Sequence, residues 1–562
     1  MTTIWPYISK IHLKNWSSLE IKRNDIIVFV WANNCWKSTI LKEIDWSYAN
    51  SNKTWWQKIV EKIDISNDLD DDRFISLIKY NSRKKHTSQW NTLYEWLWYS
   101  IIWDQMDFNF DYRKTQSGNY CKVFSSILST KERLSMMDKK IAKKNGEKPT
   151  EIYHIYWEDS KKFNLLKEYF RDVFWKELSY YPQYHWAETY FKVSDSALSN
   201  ERYGEDWFND AFVKYNEAGD IDEQWDWMKS YTWIAASLIA WCKNTYYIDE
   251  PESFLHPPQA YYMGQQIGEL SDWQIFLATH SQDFIKWLLK ANSNRVKIYR
   301  ILRNENENKL IEINKSDLLE IQNDAFLQYS NFLDSLFNNY TIICEDQSDC
   351  LFYNRIIDIL YKERQNEKPS INYVYTWWKW NFPKIYKLSE KRWINFWIIW
   401  DIDVLDDFNL LKNILWEEKV SKITEDYNMF YNFINKSWTI SIQWSELKKI
   451  INDEIHDDEQ ITKDYKNKIN NIINELKKPR DQFKSQWINI FWDQIPEYFT
   501  NIMNFLKEKN IFLVPYWEME DLIPEIKQKK QKFVYEAITL NENDEKLNKA
   551  KEFLWEIVDK IY

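Results

Sequence analysis

The sequence predicts an α/β protein in which two halves of the chain each form a parallel sheet. An apolar run at residues 26–30 predicts a buried strand, and a loop then leads into a helical segment from residue 38. Short apolar segments alternate with helical ones along the rest of the chain; they lie near residues 245–250, 274–278, 340–344, 371–375, 394–400 and 510–514. Alternation of this kind favours parallel sheets with helices packed on their faces.

Residues 28–40, VFVWANNCWKSTI, have the spacing of a phosphate-binding loop. The pattern is Gly, four residues, Gly, Lys and Ser or Thr, but tryptophan stands at both glycine positions. Such a loop holds phosphate with backbone N–H groups, whereas an indole at Trp36 would fill the space of the phosphate. The residues predicted to bind nucleotide here are Trp31, Asn33, Asn34, Trp36, Lys37, Ser38 and Thr39, and Ser38 is also predicted to bind Mg²⁺.

The glycine content of the chain is far below the average for proteins. The chain has 6 glycines and 34 tryptophans in 562 residues, whereas average usage predicts about 39 glycines. We hypothesise that most of the tryptophans are misread glycines, since some bacterial lineages translate the UGA codon as glycine. The alternative is a truly tryptophan-rich protein, which must explain pairs such as Trp55-Trp56 and Trp377-Trp378 where glycine normally marks turns.

The charge and cysteine content limit the partners and the compartment. The net charge of −11 gives no overall basic signature, so contact with nucleic acid must come from local patches. Five cysteines without a CxxC pair favour a reducing cytoplasm, and no apolar run is long enough to predict a membrane partner. A solvated helix face is the preferred interpretation of each basic patch alone; the patches are Lys139, Lys140, Lys143 and Lys144, then Lys477, Lys478 and Arg480, and then Lys527, Lys529, Lys530 and Lys532.

A second nucleotide-binding feature is the segment NTYYIDEPESFLHP, residues 244–257. Its apolar strand ends in Asp249, which can hold Mg²⁺, and Glu250, which can polarise the water that attacks the γ-phosphate of ATP. A further strand runs directly into Thr279-His280-Ser281. The order of these features resembles that of ABC-type ATPases, in which a switch histidine, here His280, senses the γ-phosphate.

The helix predicted at residues 228–241 resembles a degenerate ABC signature. Ser230 and Trp233 stand near its start, and the resemblance requires that Trp233 be read as glycine. In that family the signature contacts the ATP of the opposite subunit through a helix N-terminus. The resemblance therefore implies a homodimer or higher homo-oligomer formed through ATPase domains that span residues 1–330, with helical insertions. A packed helix of small residues is the alternative.

Acidic residues follow three of the four strands predicted in the second half, residues 338–562. Mg²⁺ prefers oxygen ligands, so carboxylates at neighbouring strand ends can hold one or two ions. Two such ions can promote phosphodiester cleavage. The predicted metal ligands are Glu345, Asp349, Asp401, Asp403 and Glu520. Residues 406–509 are acidic and lysine-rich, and they predict a helical insertion.

This set of acids resembles a Toprim domain, which has a Rossmann-like parallel sheet. An ABC-type ATPase followed by Toprim resembles the OLD-family (overcoming lysogenisation defect) nucleases over essentially the whole chain. The resemblance implies an ATP-binding dimer that nicks or cleaves DNA with Mg²⁺ or Mn²⁺, with Glu345 also acting as general acid or base. Family members often act in defence against phage, some beside a helicase partner. Asp346 departs from the family pattern, which usually has glycine at this position.

Two alternatives remain open at the level of sequence. One is a nucleotide-sensing, DNA-binding or regulatory ATPase whose Toprim domain has lost cleavage, which the departure at Asp346 favours. The other is an enzyme similar to primases or topoisomerases. No tyrosine stands in a recognisable cleavage domain, although the 36 tyrosines prevent exclusion of this second class.

Overall fold

A computed structural model describes most of the chain, which divides into two units, Met1–Gln328 and Tyr329–Tyr562. The predicted α/β class with parallel sheets is confirmed. For some residues of the described segments, including Lys37 and Asp403, the structure describes the backbone but not the side chain. The described residues are 6–15, 17–31, 37–49, 57–66, 83–86, 92–96, 99–102, 124–144, 146–180, 188–196, 217–240, 243–270, 273–292, 294–304, 307–377, 379–391, 394–406, 408–415, 421–438, 497–516 and 518–561.

The first unit is organised around a six-stranded sheet that has the order β17-β16-β3-β15-β14-β8. All neighbouring pairs in it are parallel except β16 with β17. The strands of the unit are β1 (Tyr7–Leu13), β2 (Ser18–Glu20), β3 (Ile26–Trp31), β4 (Val60–Ser66), β5 (Arg83–His86), β6 (Thr92–Trp96), β7 (Tyr99–Ile102), β8 (Ser125–Leu128), β9 (Lys140–Ile141), β10 (Glu177–Tyr180), β11 (Glu188–Thr189), β12 (Phe191–Ser194), β13 (Gly219–Asp220), β14 (Thr245–Asp249), β15 (Gln274–Ala278), β16 (Val296–Asn304) and β17 (Glu307–Ile313).

Every residue of the central strand β3 is buried, because helices cover a parallel sheet on both faces. The remaining strands form smaller antiparallel sheets, among them β2-β1-β4 and β10-β12-β13. The helices of the first unit are α1 (Lys37–Ala49), α2 (Thr130–Ser135), α3 (Ile152–Glu158), α4 (Ser160–Phe174), α5 (Asp226–Ala240), α6 (Pro257–Leu270), α7 (Gln282–Asn292), α8 (Lys315–Asn323) and, at the unit boundary, α9 (Ala325–Tyr329).

The second unit contains a four-stranded, fully parallel sheet of order β19-β18-β20-β21. Its strands are β18 (Tyr340–Cys344), β19 (Ile371–Tyr375), β20 (Phe396–Trp400) and β21 (Ile511–Leu513). Its helices are α10 (Gln347–Glu363), α11 (Phe382–Ser389), α12 (Phe408–Leu415), α13 (Thr424–Trp438), α14 (Glu497–Glu508), α15 (Gln531–Thr539) and α16 (Asn548–Ile561). Within the predicted insertion, α12, α13 and α14 are the longer elements of the described residues, and residues 439–496 lie outside the description.

Several tryptophans occupy places that suit glycine better. Trp175 ends α4 with a φ of 54° and is 87% exposed, and Trp377 follows β19 with a φ of 59°. Left-handed backbone at a helix end is the usual place of glycine, because a side chain there is strained. The buried indole N–H groups of Trp31, Trp273 and Trp400 have no hydrogen-bond partner in the described part of the chain. Buried tryptophan normally finds such a partner, so these positions favour the glycine hypothesis.

Among the described residues, no helix is both long enough and apolar enough to span a membrane.

Candidate functional site

The carboxyl ends of β3, β15 and β14 lie side by side at one edge of the first sheet. Trp31 ends β3, Asp249 ends β14, and His280 lies two residues after β15. The edge therefore gathers features that are far apart in sequence, as expected for a parallel sheet that binds ligands at strand ends. Residues 32–36, with the predicted ligands Asn33, Asn34 and Trp36, lie outside the described residues, as does the side chain of Lys37.

Ser38 and Asp249 are in direct contact at this edge. The Ser38 hydroxyl, in the first turn of α1 beside Thr39, donates a short hydrogen bond to Oδ2 of Asp249. The other carboxylate oxygen, Oδ1, is buried and has no hydrogen-bond partner within the described chain. Burial raises the pKa of Asp249, since it disfavours the charged form. A hydroxyl and a carboxylate with an unsatisfied oxygen are the donor types that Mg²⁺ takes, so these residues fit the ion.

Glu250 and His280 face each other beside Asp249. Glu250 has a φ of 47°, and its Oε1 lies 3.7 Å from His280 Nε2. Ser253 Oγ donates a 3.0 Å hydrogen bond to the other carboxylate oxygen of Glu250. The indole of Trp31 packs edge-on against the His280 ring, with centroids 5.3 Å apart. This indole occupies space next to the candidate γ-phosphate sensor that a glycine would leave open.

Two further residues, Arg133 and Glu252, organise this edge, and the sequence interpretation missed both. Arg133, in α2, is fully buried and donates to the carbonyl oxygens of Asp249 (2.9 Å) and Glu250 (3.0 Å). Burial lowers the pKa of Arg133 to about 10, so the guanidinium stays charged at neutral pH. The available signal was the pattern STKER after an apolar strand, whose Ser129 and Glu132 form a capping box.

Glu252 stabilises the turn that carries His280. Its Oε1 accepts hydrogen bonds from Thr279 Oγ1 and from the backbone N–H of His280, both 2.8 Å long. Burial raises the pKa of Glu252, and these two donors oppose the increase. Glu252 is thus a positioning residue, which holds the end of β15 against the turn that follows β14.

Replacement of Glu252 by alanine is expected to lower the free energy of unfolding by about 2 kcal/mol, because the partly buried donors of Thr279 and His280 lose their acceptor. Urea unfolding followed by tryptophan fluorescence measures this change. Glu252→Gln is the matched control, since its amide oxygen still accepts both bonds and should preserve most of the stability. An alanine variant as stable as the unchanged protein would contradict this role.

The structure places the two side chains of the predicted signature in the interior of the first unit. Ser230 and Trp233 are 0% and 2% exposed, and they lie inside α5, which begins at Asp226. Because the predicted contact with the ATP of another subunit uses backbone donors, the signature stays a prediction. The periodicity of small residues indicated a helix correctly, and Ser230 lies four residues after the start of that helix at Asp226.

The second unit brings acids together at the carboxyl edge of its sheet. The strand order β19-β18-β20-β21 reverses direction between β18 and β20, and ligands of open parallel sheets bind at such a switch point. Glu345 directly follows β18, and Asp401 directly follows β20. The two residues therefore flank the crevice that this topology creates.

Asp349 lies in the first turn of α10 beside this crevice. Its Oδ2 accepts a 3.0 Å hydrogen bond from the backbone N–H of Asp346, which in turn caps the helix. Partial burial, together with the nearby carboxylates of Asp346, Glu345 and Glu520, raises the pKa of Asp349 to about 7. The unexpected Asp346 is thus an exposed helix cap, a position that aspartate favours.

These acids share one edge without closing into a metal cage. No group of three or more His, Cys, Asp or Glu side chains has metal-binding geometry among the described side chains. The side chain of Asp403 lies outside the description, although its backbone is part of the short helix Ile402–Asp406. All of the candidate ligands are carboxylate oxygens, which suit Mg²⁺ or Mn²⁺. Among the described acids, however, no three side chains meet at one point.

Comparison with known proteins found similar solved structures at low sequence identity. No protein-family model matches the chain, and no curated protein matches it. One similar solved structure is an SMC head bound to the C-winged helix domain of ScpA, with a TM-score of 0.33, 12% identity, and coverage of 56% of this chain and 100% of that one.

Two others are an SMC head domain from Thermotoga maritima (TM-score 0.28, 11% identity, 55% and 99% coverage) and a Pyrococcus furiosus Smc head domain with an extended coiled coil bound to the C-terminal domain of ScpA (TM-score 0.32, 11% identity, 56% and 98% coverage). Scores this low establish no shared function.

Proposed function

We propose that this chain is an ATP-regulated, Mg²⁺-dependent DNA endonuclease of the OLD type. The observation that carries the proposal is the placement of Glu345 and Asp401 on either side of the switch point of a parallel sheet. Asp349 and Glu520 lie close enough to influence each other electrostatically. A crevice with several carboxylates at the end of a parallel sheet suits a metal-dependent phosphodiesterase better than a purely structural domain.

In the proposed ATPase unit, Ser38 and Asp249 would hold the Mg²⁺ that accompanies ATP. Glu250 would orient and polarise the attacking water, and His280 would contact the γ-phosphate. Arg133 and Glu252 do not touch substrate in this scheme, but they fix the two turns that carry Glu250 and His280. ATP-dependent association of two ATPase units is part of the proposal and comes from the family resemblance.

In the proposed nuclease unit, Glu345, Asp349, Asp401 and Glu520 are the candidate ligands, with Asp403 as a further one from the sequence. Bound Mg²⁺ or Mn²⁺ would supply a polarised water and charge stabilisation at the scissile phosphate. Glu345, at the end of β18, is the candidate general acid or base. A role in defence against phage, with or without a helicase partner, belongs to the same proposal through the resemblance alone.

Asp401→Asn is expected to abolish metal-dependent nicking of supercoiled plasmid DNA. We expect a loss of at least about a hundredfold, the scale on which removal of one charge-stabilising group acts. ATP hydrolysis should continue when the same change is made in the chain with glycine at positions 31 and 36, because Asp401 belongs to the second unit. Asp358→Asn is the matched control, since Asp358 lies on α10 and pairs with Lys368 at 2.7 Å, and this variant should nick DNA normally. Nicking that persists in Asp401→Asn would exclude the proposed nuclease site.

The regulatory ATPase with an inactive second unit remains the competing proposal. The observation that favours it is the lack of a three-acid metal group among the described side chains. Asp346 no longer supports the regulatory function, because this residue has a structural role as the cap of α10. If the unchanged protein hydrolyses ATP and binds DNA but shows no nicking with Mg²⁺ or Mn²⁺, the regulatory function is the correct one.

A further inference from the structure

The three lysine-rich segments of the chain differ in how their charges are used. In the first, Lys139 pairs with Asp220 at 2.7 Å and Lys143 pairs with Glu158, so neighbouring carboxylates already neutralise these charges. The second, residues 477–480, lies outside the described residues. The third segment, residues 527–532, lies within the described residues, and its lysines have no such carboxylate partners there.

All four lysines of this third segment are exposed, and none makes an ion pair within the described part of the chain. Other lysines of the second unit do make them, as Lys362 does with Glu542 at 2.6 Å. The segment is also not the helix face that the sequence predicted. Lys527, Lys529 and Lys530 precede α15, and only Lys532 lies within its first turn, which contains no acid.

A hydrogen bond connects this lysine loop, residues 527–532, to the carboxylate edge, defined by the acids Glu345, Asp349, Asp401 and Glu520. The backbone N–H of Lys530 donates to Oε1 of Glu520 over 2.8 Å. Lys530 has a φ of 52° and a ψ of −128°, a combination that residues with a side chain rarely adopt. The hydrogen bond thus holds the loop beside Glu520, one of the acids that form the candidate nuclease site. An ordinary solvated loop needs no strained residue such as Lys530.

The position of the lysine loop beside these acids is important because a cluster of carboxylates repels the phosphates of DNA. Cations beside the cluster offset that repulsion and attract the strand locally, even on a protein with a net charge of −11. A flexible ammonium group suits a phosphate oxygen and carries no information about base sequence. These charges therefore fit the backbone of a strand that passes over the carboxylate edge.

We propose that the lysine loop is a DNA-backbone contact surface that delivers a strand to the acids at Glu345, Asp401 and Glu520. The inference deepens the proposed nuclease function and rests on it for the fate of the strand, but the binding itself is testable without cleavage. Contact with phosphates alone makes the interaction independent of sequence and strongly dependent on salt.

The test is DNA binding by the full chain in buffer with a chelator and without divalent cation, so that no cleavage occurs. A mixed-sequence DNA duplex is titrated at several KCl concentrations with the unchanged protein and with Lys527→Gln/Lys529→Gln. The double variant is expected to bind about tenfold more weakly at moderate salt. The slope of log K against log [KCl] should become shallower by about 2, because each phosphate contact contributes about 0.9.

Lys362→Gln/Lys546→Gln is the matched control, since it removes two positive charges elsewhere in the second unit, from Lys362 on α10 and from Lys546 in the short helix Glu545–Leu547. Lys362 lies about 22 Å along α10 from residue 347, given a rise of 1.5 Å per residue. The control should bind like the unchanged protein. Equally weakened DNA binding in both variants, or unchanged DNA binding in Lys527→Gln/Lys529→Gln, would overturn the proposed contact surface. The proposal would also fail if the unchanged protein bound no DNA. Normal loop-dependent binding without nicking in Mg²⁺ would instead contradict only the nuclease function.

Discussion

Glycine at positions 31 and 36 is expected to give the chain an ATP affinity at least about a hundredfold higher than tryptophan does. Backbone N–H groups can reach phosphate only where no side chain intervenes, and hydrogen bonds to a charged group are worth about 1.5–3 kcal/mol each. Recovery of two such bonds accounts for the factor. The measurement compares Trp31→Gly/Trp36→Gly with the tryptophan-containing chain by calorimetric titration of Mg-ATP.

Trp175→Gly is the matched control for this experiment. It also replaces tryptophan by glycine, but at the exposed, left-handed end of α4. We expect it to raise the free energy of unfolding by about 1 kcal/mol and to leave ATP affinity unchanged. If Trp31→Gly/Trp36→Gly binds ATP no better than the tryptophan-containing chain, the phosphate-loop assignment fails.

Glu250→Gln, made in the chain with glycine at positions 31 and 36, is expected to reduce the kcat of ATP hydrolysis by about 10²–10⁴-fold. The amide keeps the size of the side chain and can still accept the hydrogen bond from Ser253, but it cannot take a proton from water. ATP affinity should change little, since the contact between Ser38 and Asp249 remains. Steady-state phosphate release and a separate ATP titration distinguish the two quantities.

Ser253→Ala provides the comparison for this variant, because it removes only the partner of Glu250 Oε2. Its kcat should fall much less than that of Glu250→Gln, because the variant keeps the carboxylate and loses only one hydrogen bond that orients it. A Glu250→Gln variant that hydrolyses ATP at the unchanged rate would show that another group activates the water. His280, 3.7 Å from Glu250, would then be the first residue to examine.

The strands that carry the site were predictable because each is a short apolar run with a polar residue at its end. The structure has β15 at Gln274–Ala278, as the sequence predicts, and β14 at Thr245–Asp249. In parallel sheets the strand ends share one edge, so the placement of Asp249 and His280 followed from pattern alone. The same reasoning located Glu345 and Asp401 in the second unit.

Other features depended on contacts that no local pattern contains. Arg133 lies 116 residues before Asp249 in sequence, and only the pairing of β8 with β14 brings α2 to the turn. The small residues of α5 predicted a helix equally well for a signature and for a core element, and only the structure shows that the side chains of Ser230 and Trp233 are buried. In the sequence, Asp346 is an unexpected charge where the family usually has glycine. The structure shows that this residue caps the start of α10.

The most direct test is the mass of the tryptic peptide of residues 24–37, isolated from the protein made by its native host. The central claim is that this chain contains a working phosphate loop, and it predicts glycine at both position 31 and position 36. The peptide should then be lighter than the printed sequence requires by two tryptophan-to-glycine differences. Tryptophan at both positions would contradict the claim, because indoles would fill the phosphate space and the proposed control by ATP would have no binding site.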